Sequence, residues 1–124
     1  MQGMTVRECY ESFGGDYDEV LSRLRKEERI VKYAGRFAAG DEYGQILDAL
    51  ASGDPDALFR SVHNMKGVAA NLGFTPLFLS SDVLCEALRP GSAPVAPEER
   101  ERMLREVRDA YARVLSALKE AGIG

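Results

Sequence analysis

The sequence predicts an all-α protein, an antiparallel four-helix bundle with short additional helices at its N-terminus. Three observations lead there. Apolar residues recur at three- and four-residue spacing along most of the chain, and no segment alternates β-branched with polar side chains as a half-buried strand would. Helix start and stop signals punctuate this pattern, and the short connections between them favour antiparallel neighbours.

The elements follow in chain order. Thr5 can cap a short helix that runs to about Phe13 and is ended by Gly14-Gly15; Asp16 can cap a second one carrying Tyr17, Val20, Leu21 and Leu24. These two form an N-terminal appendage over residues 1–25. A third helix, from about Lys26 to Ala39, sets Ile30, Ala34 and Phe37 on one side and stops at Gly40. Its spacing leaves open whether it joins the bundle or caps it. Asp41 starts a fourth, which groups Tyr43, Ile46, Leu47 and Leu50. Asp54-Pro55 is a cap residue followed by proline at the first helical position, and Gly73 suits the far end, so Pro55 to Leu72 reads as one helix. Thr75-Pro76 repeats the start signal for a helix with Leu77, Leu84 and Leu88. After the loop "RPGSAPVAP", Pro97 with Glu98 and Glu99 opens a last long helix carrying Leu104, Val107, Tyr111, Val114 and Leu118.

Bulk properties narrow the function. With 45% hydrophobic and 29% charged residues, the 124-residue chain has the composition of one soluble globular domain. A net charge of -4 disfavours a nucleic-acid partner, and the basic run Arg23–Arg29 is broken by Glu27 and Glu28, as on a solvated helix face. Nothing near Met1 has the order of a secretory signal, and no apolar run approaches the roughly 18 residues that span a bilayer. A cytoplasmic monomer with no membrane contact is expected. Cys9 and Cys85 are expected to be reduced and partly buried, and one histidine without a close cysteine pair cannot supply the usual zinc ligand sets.

That histidine stands in "SVHNMKGVAANLGF", Ser61–Phe74. On a helical wheel Leu58, Val62, Met65, Ala69 and Leu72 form one stripe, the core face. His63 lies about 140° from its centre and Gly67 about 180°, so both point outward; Lys66 at about 80° and Ala70 at about 120° flank them. Lys66 and Gly67 follow His63 by three and four residues and therefore adjoin it on the surface. An imidazole with an ordinary pKa is mostly neutral in the cytoplasm and is a competent nucleophile. A phosphoryl group attacked by it would need a cation, which lysine supplies. A glycine inside a helix costs roughly 1 kcal/mol relative to alanine, a cost that access for an approaching partner would offset. A solvated surface histidine is the plain alternative.

"HNMKGVAANLG" resembles the HxxKGxxxxLG motif of histidine phosphotransfer (HPt) domains of bacterial phosphorelays. The similarity extends through "FAAGDEYGQILDALASGDPDALFRSVHNMKG" and "LGFTPLFLSSDVLCEALRPG" to the last helix, placing an HPt-like bundle domain over residues 26–121. Asn64 stands where the family often has serine or threonine, and Met65 where it often has leucine, a tolerable core exchange.

The resemblance implies a phosphoryl carrier without ATP-dependent kinase activity of its own. His63 would accept the group, Lys66 would stabilise its charge, Gly67 would keep the approach clear, and Arg60, Asn64 and Ala70 would belong to the docking surface. Partners would be response-regulator receiver domains and a hybrid histidine kinase. The chain itself would hold no cofactor, since the Mg²⁺ belongs to the receiver. Two other histidine-bearing helical families compete. The dimerisation domain of sensor kinases usually follows its histidine with an acidic residue, where Asn64 stands here; the phosphoacceptor domain of a chemotaxis-type kinase would be a fragment of a longer chain, whereas length and Met1 favour an independent protein. A helical scaffold that never carries phosphate is the reading from a different class.

Overall fold

The N-terminal start signals become hydrogen bonds in the computed structural model, which describes residues 3–124. Thr5 Oγ1 accepts from the Glu8 amide at 3.0 Å while Glu8 Oε1 accepts from the Thr5 amide at 2.9 Å, a reciprocal cap for α1, Val6–Phe13. Asp16 Oδ1 accepts from the Glu19 amide and opens α2, Tyr17–Leu24. There follow α3, Glu27–Ala39; α4, Glu42–Ser52; α5, Pro55–Asn71; α6, Thr75–Leu88; and α7, Pro97–Glu120. No strand occurs among the described residues. Met1 and Gln2, on which the reading of the extreme N-terminus rests, lie outside the described residues.

Two boundary expectations need correction. Thr75 is not a cap: it is already helical, and Phe74 takes the cap position with no side-chain bond. Gly73, at φ +71°, turns the chain so tightly that Phe74 is buried as α6 begins. Gly40 ends α3 in an extended rather than a left-handed conformation, leading straight into the Asp41 cap of α4.

Packing follows the predicted stripes except in α4, where Leu47, grouped with Tyr43, Ile46 and Leu50 from its spacing, is 49% exposed and Ala49 is buried instead. Helix α5 lies between α4 and α6, α6 lies against α7, and α7 also meets α3 and α1. The side of the bundle between α5 and α7 is thus lined by α4 against α5 and by α3 against α7. Tyr111 of α7 marks the junction, 5.4 Å from the Phe37 ring and stacked at 5.5 Å on that of Tyr43. Leu58, Val62, Met65, Ala69 and Leu72 are all buried, as are Leu77, Leu84, Val107, Val114 and Leu118. Leu88 and Leu104 are half-buried at its margin.

The N-terminal helices contribute Cys9, Tyr10, Phe13, Tyr17 and Val20 to the same core. Phe74 sits among the rings of Tyr10, Phe13 and Phe37, at centroid distances of 5.9, 5.6 and 5.0 Å. More specifically, residues 10–23 satisfy the carbonyls that α5 leaves open at its end. Arg23 Nη1 donates to Ala70 O at 2.8 Å and Asn71 O at 2.7 Å, the Tyr10 hydroxyl to Leu72 O at 2.6 Å, and the Asp16 amide to Gly73 O at 2.9 Å. A cationic side chain at a helix C-terminus also suits the helix dipole. Contact here is so close that a Cβ on Gly73 would lie 2.8 Å from Asp16 O. Both cysteines are free and buried, and burial pushes the Cys9 thiol up to about 11.

Candidate functional site

Helix α5 carries the site because its two faces are chemically separate. Asp54 caps it through a 3.0 Å bond from the Asp56 amide, Pro55 occupies its first turn, and the buried stripe fixes its rotation. His63, Asn64 and Gly67 are consequently exposed on the outer crest, with Arg60 one turn before. The His63 ring lies 5.9 Å from that of Phe59, its neighbour one turn back.

Gly67 meets no packing demand. A Cβ placed there would find no atom of the described residues within 4 Å, apart from its two chain neighbours and the helix's own backbone, and the residue has ordinary helical geometry. The fold therefore tolerates a side chain at 67, so the bare backbone next to His63 is surplus to the protein's own architecture. Gly73 and Gly15 differ, since each sits where a Cβ would press on neighbouring backbone.

Lys66 is not aimed at His63. Its ammonium lies 2.9 Å from Asp82 Oδ1 on α6, and the bond to this carboxylate raises the Lys66 pKa above its ordinary value. Two other cations, Arg60 and Arg89, share a cleft with the histidine. Phe59, Arg60, His63, Asn64 and Arg89 line one open cleft, in which the Arg89 guanidinium stands 5.5 Å from the centroid of the Phe59 ring. Arg89 is itself held by Glu86, through a 2.7 Å and a 3.2 Å bond. Of the residues nominated from sequence, the structure brings Arg60, His63, Asn64 and Gly67 together on the crest. Ala70 is half-buried toward the C-terminal end, in a second cleft lined also by Ala69, Gly73, Phe78 and Leu79. Arg60 and Asn64 also border a groove against α4, beside Gln45 and Asp48.

Asp82, Arg89 and Phe59 were not evident from local sequence. Lys66 and Asp82 are equidistant in sequence from Phe74, and so are Phe59 and Arg89. An antiparallel hairpin folded at that residue sets each pair side by side, so the tight turn at Gly73-Phe74 was the signal that could have found them. The same register leaves Leu79 and Val83 of α6 solvent-exposed, at 56% and 48%, on either side of Asp82 in sequence. Among the described residues no cluster of histidine, cysteine and carboxylate side chains could hold a metal ion, and no helix is long and apolar enough to cross a membrane.

Comparison with known proteins agrees with this geometry. No curated protein and no solved structure matched the chain. The family model described as Hpt domain matches residues 38–117, from the end of α3 through most of α7 and including the whole of α5. With well over half its length matched and the expected helical bundle around an exposed histidine, the chain belongs to the Hpt domain family, whose members serve histidine phosphotransfer in phosphorelays.

Proposed function

We propose that this protein carries a phosphoryl group on His63, accepting it from an aspartyl phosphate of one receiver domain and returning it to the aspartate of another. The observation that carries the reading is the open space at Gly67 next to an exposed imidazole, on a helix whose other face is fully committed to the core. In the forward step the lone pair of the unprotonated ring nitrogen forms the N–P bond as the P–O bond of the aspartyl phosphate breaks. The bonding pair returns to the receiver carboxylate, and the proton on the other ring nitrogen is retained. Mg²⁺ and the acidic residues that bind it belong to the receiver. Lys66 stabilises charge on the phosphoryl oxygens, which requires its ammonium to turn from Asp82. Arg89, in the same cleft as His63, is a second cation for this charge.

Docking is transient and centres on Arg60, Asn64 and Gly67, with Ala70 and the exposed Leu79 and Val83 at its α6 edge. The occupant is a receiver domain, because only a partner seated over this crest could bring an aspartate to His63. A hybrid histidine kinase is the source of the phosphoryl group, and the cytoplasm is the compartment in which the chain works as a monomer. Incubation with a phosphorylated receiver and Mg²⁺ tests the reading: wild-type protein gains an acid-labile, alkali-stable label and His63→Gln gains none. Equal labelling of the two proteins would refute it. Lys66→Ala should slow transfer without unfolding the protein, and an unchanged rate would remove the role assigned to Lys66.

A further inference from the structure

The carboxylate that holds Lys66 has no structural need of it. Asp82 is 40% exposed at its side chain on α6, and among the described residues its carboxylate makes no other hydrogen bond or ion pair, while its neighbours Leu79 and Val83 face solvent too. Lys66 for its part reaches across the α5–α6 groove rather than along the crest, and its side chain is 24% exposed. An ammonium engaged with a carboxylate has less positive potential to offer a phosphoryl group one helical turn away. We propose that Asp82 is a positioning residue that acts through Lys66: it holds the ammonium off His63 in the unphosphorylated protein and so limits the rate at which His63 gains its phosphoryl group. The dianionic phosphoryl and the Asp82 carboxylate then compete for one cation. Asp82 thereby keeps the carrier from retaining the group too firmly to pass it on.

This inference rests on His63 being the acceptor, and its test separates the two. Potassium phosphoramidate serves as a receiver-free donor: the imidazole–phosphorus bond forms as the reagent's own N–P bond breaks, and ammonia leaves with the bonding pair. Asp82→Asn should raise the rate of phosphohistidine formation, followed by ³¹P NMR, about two- to five-fold, the scale on which exposed ion pairs act. Asp82→Glu should behave as wild type. In a Lys66→Met background, Asp82→Asn should have no effect, because the cation through which it acts is gone. Unchanged thermal midpoints establish that each variant is folded. An unaltered rate in Asp82→Asn would overturn the inference while leaving His63 the acceptor. The same gain in the Lys66→Met background would also overturn it, showing that Asp82 merely repels the anionic donor. Failure of the wild-type protein to form phosphohistidine with this donor, or label surviving in His63→Gln, would overturn the inference together with the reading beneath it.

Discussion

Gly67 is a residue whose cost and benefit can be separated by experiment. In a helix interior glycine forfeits roughly 1 kcal/mol relative to alanine, and here no contact with the rest of the protein demands it. Gly67→Leu should therefore leave the protein folded and as stable as the wild type to within about 1 kcal/mol, or slightly more stable. The same substitution sets a branched side chain one turn from His63, in the path of any partner, and should lower the rate of transfer from a phosphorylated receiver by at least about tenfold, as loss of near-attack geometry does. Denaturant unfolding and a transfer assay on the same preparation check both halves. A large loss of stability would mean that Gly67 serves the fold rather than access.

At the scale of elements, the site helix depends on chain that precedes the region matched by the family model. Four successive carbonyls, Ala70 to Gly73, are satisfied by Arg23, Tyr10 and Asp16. The Tyr10 hydroxyl is buried and donates to Leu72 O, its one partner among the described residues, and burial raises its pKa far above the ordinary phenol value. Tyr10→Phe should leave that carbonyl without this donor and destabilise the protein by about 1–3 kcal/mol, measured by urea unfolding. A change below a few tenths of a kcal/mol would show that water replaces the hydroxyl. Helix α2 makes the opposite prediction. It ends on Arg25 at φ +75°, the one non-glycine residue with positive φ among those described. Arg25→Gly should relieve this left-handed strain and stabilise the protein by up to about 1 kcal/mol, net of the entropy that glycine loses on folding. A loss of stability in the same unfolding measurement would mean that the Arg25 side chain contributes more than its backbone costs.

For the whole molecule, what the sequence revealed and what it concealed divide along a physical line. Periodicity exposed the buried stripe of α5 and hence the outward direction of His63 and Gly67, because one helix's rotation is fixed by its own apolar residues. Caps such as Thr5, Asp16 and Asp54 were legible because their partners lie within three residues. The Lys66–Asp82 pair, the cleft shared by His63 and Arg89, and the clasp of Tyr10 and Arg23 on the end of α5 join residues distant in sequence, and only packing brings those together. The assembled surface carries its own prediction. Leu79 and Val83 are large apolar side chains left in solvent beside the site. Replacing both with aspartate should leave the thermal midpoint unchanged and weaken receiver binding at least about tenfold by titration calorimetry, as loss of apolar anchors does at other interfaces. Unaltered affinity would move the docking surface off α6.

The central claim is that one phosphoryl group resides on His63. Site mapping by mass spectrometry under alkaline conditions, after transfer from a phosphorylated receiver with Mg²⁺, tests it most directly. The account predicts a single modified residue, His63, with the phosphate lost on brief acid treatment. Phosphate on any other residue, or an unmodified protein alongside a receiver shown to be competent, would contradict it.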